Sequence, residues 1–245
     1  MNLKENERID DLEFKGLKII QNKDGFCFGI DSVLLSDFAK NIRHNSKVMD
    51  LGTGTGIINI LLSGKTKASK FIGVEIQEEV AEMAKRSVEL NNLEDKITIL
   101  NENILNLKNI YDAKSFDAVV TNPPYKKINT GLINENNKQL ISRHEITANL
   151  KDFIHISSYL LKDFGEFYMV HRPDRLVDIF QDMREERIEP KLIKFVYPKA
   201  TKKTNLVLIK GIKNGNPFLE YDNNLVVYNE DGSYTDEILK IYNKK

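Results

Sequence analysis

A chain of 245 residues, 41% of them hydrophobic, can bury one substantial core, which sets aside wholesale disorder. Its 36 basic and 36 acidic residues cancel to a net charge of zero, so any surface for a polyanion has to be a local patch rather than a global field. The single cysteine, Cys27, excludes an internal disulfide and a cysteine-rich zinc site; His44, His144, His155 and His171 lack ligand spacing, so no metal is expected, and the absence of a long apolar run or charged-then-apolar leader reads as a cytoplasmic chain with no membrane segment.

Residues 1–13 are polar and charged and read as a loose lead-in, followed by a short strand over 14–20. Residues 26–32 then run into Val33, Leu34, Leu35, Phe38 and Ala39, whose spacing predicts a helix capped near Asp31 or Ser32. From there strands alternate with helices: strand 47–51, helix 57–63, strand 71–75, helix 78–91 with Val80, Ala84, Val88 and Leu90 inward, then strands 97–100 and 116–121. That rhythm predicts an α/β fold, a parallel sheet with helices on both faces. Residues 126–143 are polar, rich in asparagine, and read as a substrate lid. Beyond them come helix 150–161, strand 165–171, helix 173–187 with proline in its first turn, and strands 192–197 and 205–213, expected to pair antiparallel. The tail predicts a hairpin turning at 229–233 and a short helix. The whole is expected to be one domain, 1–245, divided into an N-terminal cap (14–45), a catalytic core (46–213) and a C-terminal hairpin and helix extension (214–245).

Two motifs carry chemistry. Asp50-Leu51-Gly52-Thr53-Gly54-Thr55-Gly56 follows a strand and opens a helix. Glycines there let the backbone turn tightly and approach a ligand, and the helix amino terminus offers free N–H groups. Glu75 ends the next strand, the place for a carboxylate that holds two ribose hydroxyls. The G-x-G-x-G spacing, with isoleucine at 57, and the preceding Asp50, suited to a cofactor ammonium, favour S-adenosylmethionine over a dinucleotide.

The second motif is Asn122-Pro123-Pro124-Tyr125, at the end of the apolar run Ala118-Val119-Val120. An aromatic exocyclic amine is a poor nucleophile because its lone pair is delocalised into the ring. Acceptors aimed at both N–H bonds draw the nitrogen toward a pyramid and free that pair. The Asn122 side-chain carbonyl and the Pro123 backbone carbonyl are the expected acceptors, stiffened by prolines of fixed φ, and Tyr125 is expected to stack on the base.

With these residues in view, the chain resembles the class I methyltransferases, and within them the bacterial tRNA1(Val) (adenine-37 N6)-methyltransferase family. The likeness spans about residues 14–213: Phe28-Gly29-Ile30-Asp31-Ser32-Val33-Leu34-Leu35, the glycine loop, Gly73-Val74-Glu75-Ile76, NPPY at 122–125, His144-Glu145, and Phe195-Val196-Tyr197-Pro198-Lys199-Ala200. The resemblance implies a Rossmann-like, seven-stranded, mostly parallel sheet with an antiparallel C-terminal hairpin. It also implies S-adenosylmethionine along the strand ends and the N6 amino group of an adenine in RNA, A37 of a tRNA anticodon loop, as acceptor. Gly29 and Asp31 would then lie over the methionine part of the cofactor, and Asn103, beside Ile104, would stand where many relatives place an aspartate against the cofactor's adenine. With these, Asp50, Gly52, Gly54, Gly56, Glu75, Ile76 and Asn122 complete the expected cofactor set.

Seven lysines and no acidic residue between 191 and 213 suggest a phosphate-contacting band. Lys126, Lys127, Arg172, Lys199, Lys202 and Lys203 are the expected substrate contacts, in a monomer. Alternatives remain on these residues: a protein-glutamine N5-methyltransferase or another NPPY-type amino-methyltransferase on rRNA or DNA, or a non-catalytic RNA-binding module.

Overall fold

The computed structural model describes residues 3–23, 29–125 and 148–244. Its frame is one mixed sheet. Five strands, β3 (Lys47–Leu51), β4 (Lys70–Glu75), β5 (Ile97–Asn101), β6 (Phe116–Thr121) and β7 (Leu161–His171), run parallel in the order β5-β4-β3-β6-β7. Two more, β8 (Ile188–Tyr197) and β9 (Leu206–Lys213), form the antiparallel hairpin, with β9 inserted between β7 and β8. These seven long strands match the expected sheet. Two short strands not anticipated, β10 (Glu220–Tyr221) and β11 (Leu225–Val226), add parallel to β8.

The central strands are apolar without alternation because both faces are covered, as for Val48, Met49 and Leu51 or Ala118, Val119 and Val120, all fully buried. On one face lie α1 (Ile30–Phe38), α2 (Ile57–Lys65) and α3 (Glu78–Leu90), packed around Leu34, Leu61, Ala84 and Tyr168. On the other lie α4 (Leu150–Leu160) and α5 (Leu176–Glu185), packed around Ile154, Phe167 and Ile179. In α3 the buried positions are Ala81, Met83, Ala84, Ser87 and Val88, so Val80 and Leu90 of the expected inward set sit at the margin of that face. Pro173 opens a 3₁₀ turn, Pro173–Arg175, before α5.

The lead-in is not loose. Residues Glu7–Asp11 form β1, antiparallel to β2 (Lys18–Asn22). Its polar composition hides an anchor: Glu7 is buried and receives both guanidinium nitrogens of Arg86 on α3, at 2.6 and 2.7 Å. The tail turns at the expected place, with Asn229 N–H donating to the Ser233 carbonyl at 2.8 Å, and ends in α6 (Asp236–Ile241). Residues 126–143, Phe28 and the pair His144-Glu145 lie outside the described residues. Among those described, no helix is long and apolar enough to cross a membrane.

Candidate active site

Parallel strands place every strand-to-helix turn at one edge, where an α/β sheet holds its ligands. The turns after β3, β4, β6 and β7 therefore meet there. Register makes two of them neighbours: Leu51 pairs with Thr121, so Gly52 and Asn122 are the next residues on adjacent strands, and the Thr121 hydroxyl donates to the Leu51 carbonyl at 2.9 Å.

Gly52, Gly54 and Gly56 all take positive φ, +71°, +56° and +87°, a region side chains rarely enter. At Gly54 a Cβ would meet no atom within 4 Å, so the loop there faces open space. Its N–H donates to Glu75 Oε2 at 3.1 Å, while Glu75 Oε1 accepts the Gln77 N–H at 2.9 Å. Beneath the loop, the Thr53 hydroxyl donates to Asp50 Oδ2 at 2.6 Å and accepts from the Asn59 amide at 3.2 Å. This network explains Gly73: a Cβ on that β4 residue would stand 2.6 Å from Asn59 Nδ2 and 2.8 Å from Thr53 Oγ1. Asp50 is fully buried, and its Oδ1 has no hydrogen-bond partner among the described residues. Burial pushes its carboxyl up to about 7, with the Glu75 charge adding to the rise and the Thr53 hydroxyl opposing it. An uncompensated buried acceptor, a ribose-type carboxylate and an open backbone turn together fit a cationic nucleoside cofactor such as S-adenosylmethionine.

Ile76 follows Glu75 and is exposed, an apolar surface beside the loop, whereas Ile104 is buried. Asn103 caps the 3₁₀ turn Ile104–Asn109, its side-chain oxygen accepting the Leu105 N–H at 3.0 Å.

After β6, Pro123 is buried, Pro124 exposed and Tyr125 half-buried. The Tyr125 hydroxyl oxygen lies 2.8 Å from Asn122 Oδ1 and 2.9 Å from Asp31 Oδ2. Asn122 Nδ2 donates to the Ser32 hydroxyl at 3.2 Å. The first turn of α1 is thus fastened to the NPPY element, and it is there that the structure brings Asp31. A Cβ at Gly29 would stand 2.7 Å from Asp31 Oδ1, the carboxylate oxygen that accepts the Ser32 N–H at 2.9 Å. Burial, together with the Asp31 charge, holds the Tyr125 phenol far above its ordinary pKa, so it stays protonated.

Sequence reasoning missed two participants. Ser32 was read only as a cap. His171, dismissed with the scattered histidines, ends β7 with its ring 5.0 Å from that of Tyr125. It is buried, which lowers its pKa, and its Nδ1 accepts the Arg172 N–H at 2.8 Å, as only the neutral tautomer can. A histidine at the carboxyl end of a strand neighbouring β6 was the available signal.

The lysine band is divided by its own hairpin. Because β8 and β9 both run antiparallel to each other and β9 to β7, the loop joining them returns to the site edge with Lys199, Lys202 and Lys203. Lys202 and Lys203 are exposed there, as is Arg172 after β7, while Lys199 donates to the Glu230 carbonyl at 2.8 Å. Lys191 and Lys213 stand toward the far end, bonded to the carbonyls of Asn216 and Glu186. Lys210 pairs with Glu166 at 2.6 Å and Lys194 with Glu237 at 3.1 Å, so neither ammonium is available as the band reading required. Lys126 and Lys127 fall outside the described residues. Among those described, no group of three His, Cys, Asp or Glu side chains is gathered for a metal ion.

Comparison with known proteins places this geometry in context. The methyltransferase small domain family matches residues 28–178. A tRNA1(Val) (adenine(37)-N6)-methyltransferase of Porphyromonas gingivalis is 31% identical over 175 residues, covering 69% of this chain and 68% of that one. The enzyme of the same description from Mannheimia succiniciproducens is 25% identical over 235 residues, 93% of this chain and 90% of its own. Among solved structures, a predicted O-methyltransferase from Agrobacterium tumefaciens superposes with a TM-score of 0.68 at 21% identity, over 87% of this chain and 95% of that one. The T. thermophilus 16S rRNA N2 G1207 methyltransferase, in complex with AdoMet and guanosine, gives 0.61 at 17%, over 87% and 52%.

Proposed function

Since the chain belongs to the methyltransferase small domain family, we propose that it methylates the N6 amino group of an adenine in RNA, namely A37 in the anticodon loop of a tRNA. The protein is a methyltransferase and its cofactor is S-adenosylmethionine. One observation carries the acceptor assignment: the side-chain carbonyl of Asn122 stands one residue beyond the register that joins β6 to the glycine-loop strand β3. An amine gripped by that oxygen faces whatever the loop holds.

The bound cofactor supplies a methyl on cationic sulfur, and transfer forms the N–C bond, returns the S–C electron pair to sulfur and leaves one amine proton to water. The chain's own residues then have limited tasks. Glu75 and the loop amides orient the nucleoside, and Asp50 offers negative charge to the cation. Asn122 Oδ1 accepts an amine N–H, its position held by the stiff Pro123-Pro124 turn. Such preorganised acceptors act where charge develops. Once displaced from Asn122, Tyr125 offers its ring to the base, and stacking of that kind contributes roughly 1–3 kcal/mol.

RNA is favoured as acceptor by the names of the relatives and by Lys202 and Lys203, exposed at the site edge. An anticodon-loop base is already unpaired, so presenting it costs less than flipping one from a duplex. The enzyme acts as a cytoplasmic monomer in this reading. Incubation with labelled S-adenosylmethionine and total unmodified tRNA, followed by nucleoside digestion, tests it. Label is expected in N6-methyladenosine; label in any other nucleoside overturns the assignment.

A further inference from the structure

Three buried polar side chains form a chain beneath the glycine loop. Asn59, in the first turn of α2, lies with its amide 3.2 Å from the Thr53 hydroxyl, which in turn lies 2.6 Å from Asp50 Oδ2. Thr53 is fixed in place: its N–H donates to the Val74 carbonyl at 2.9 Å, and its own carbonyl accepts the Gly56 N–H at 3.0 Å. A hydroxyl carries one proton, so this chain has a direction. With Asp50 ionised, Asn59 Nδ2 donates to Thr53 Oγ1 and the Thr53 proton goes to Asp50 Oδ2. With the Asn59 amide turned over, the Thr53 proton goes to Asn59 Oδ1 instead, and Asp50 must bring a proton of its own. The orientation of one buried amide and the charge on a carboxyl two groups away are therefore tied together.

We propose that Thr53 and Asn59 are positioning residues for the cofactor, holding Asp50 as a carboxylate with Oδ1 free to receive the cofactor ammonium. This rests on the role given to Asp50 in the proposed function and on nothing about the methyl acceptor. Burial favours the neutral acid at Asp50, and so does Glu75, the charged group that acts on it among the described residues; the Thr53 hydroxyl opposes both. The register partners of Asp50, Gly73 on β4 and Val120 on β6, bring no charge. The amide N–H on Thr53 Oγ1 polarises the hydroxyl and leaves its proton turned to Asp50, which strengthens that bond in a buried setting. Asp50 Oδ1 then remains without a partner among the described residues, the acceptor a cation completes.

The test is S-adenosylhomocysteine affinity of the full-length protein by calorimetry, between about pH 5.5 and 8.5, read against Asp50→Asn, which has no charge to titrate. In wild type the advantage over Asp50→Asn is expected to rise with pH and level off above about pH 7. In Thr53→Val the levelling should come about one to two pH units later, and Thr53→Ser, which restores the hydroxyl, should return the wild-type profile. Asn59→Ala leaves the loop residues untouched and reads the direction of the chain by itself: the levelling is expected to move to higher pH, by less than in Thr53→Val. A move to lower pH in Asn59→Ala overturns the proposal, because the amide then supports the neutral acid. A loss of affinity in Thr53→Val that is uniform across the pH range also overturns it, since the hydroxyl is then only structural. Equal binding by Asp50→Asn and wild type at every pH removes the role of Asp50 and the proposal with it. A weak Asp50→Asn beside a Thr53→Val of wild-type profile removes the proposal alone, so the two fail separately.

Discussion

In the proposed function the glycine loop serves the cofactor and the Asn122 side chain the acceptor amine. If Asn122 serves only the amine, Asn122→Ala should bind S-adenosylmethionine within a few-fold of wild type while transfer falls about 10²–10³-fold, read by calorimetry and single-turnover kinetics on one preparation. Asp50 makes a separate prediction. Its folded-state pKa is raised to about 7 from an ordinary aspartate value, so the stability it contributes is complete in acid and is lost as pH rises through about 7. A cationic cofactor placed near it favours the ionised form. Binding at about pH 7, measured by calorimetry in two buffers of different ionisation enthalpy, should therefore release up to about half a proton in wild type and none in Asp50→Asn. At this scale the sequence was half legible. Asp50, Glu75 and Asn122 declare themselves by position at the carboxyl ends of strands, whereas Ser32 and His171 are ordinary residues brought to the site by contacts across 90 positions to Asn122 and 46 to Tyr125.

Among elements, the start of α2 depends on a glycine in the neighbouring strand. Gly73→Ala would drive a methyl against Asn59 and Thr53, the pair that supports Asp50 from below. We expect a loss of about 1–3 kcal/mol in urea unfolding together with weaker S-adenosylhomocysteine binding. The long strands and the helices were legible because each carries an unbroken or periodic apolar pattern. β1 was not, because a strand written Glu-Arg-Ile-Asp-Asp has little apolar content of its own; what holds it is Arg86, seventy-nine residues away, and that pairing leaves no local trace. β10 and β11 escaped for a related reason, since two-residue strands are defined only by the edge of β8 on which they lie.

Over the whole molecule, a neutral chain must gather its RNA contacts, and the sheet order decides which charges can be gathered. Pattern alone showed lysines close in sequence; only the antiparallel insertion of β9 shows that Lys199, Lys202 and Lys203 share the site edge while Lys191 and Lys213 do not. Replacing Lys202 and Lys203 together by alanine should weaken tRNA binding and reduce the slope of log affinity against log salt by about 2, one for each lost phosphate contact. Replacing Lys191 should leave that slope unchanged. The account as a whole depends on an amine held at Asn122 in line with the methyl donor at the glycine loop. A crystal structure with S-adenosylhomocysteine and an adenine-containing anticodon stem-loop measures that directly. The adenine N6 is predicted within about 3 Å of Asn122 Oδ1, pointing at the sulfur. An adenine seated away from Asn122, with the Tyr125 hydroxyl still on its carbonyl, would contradict it.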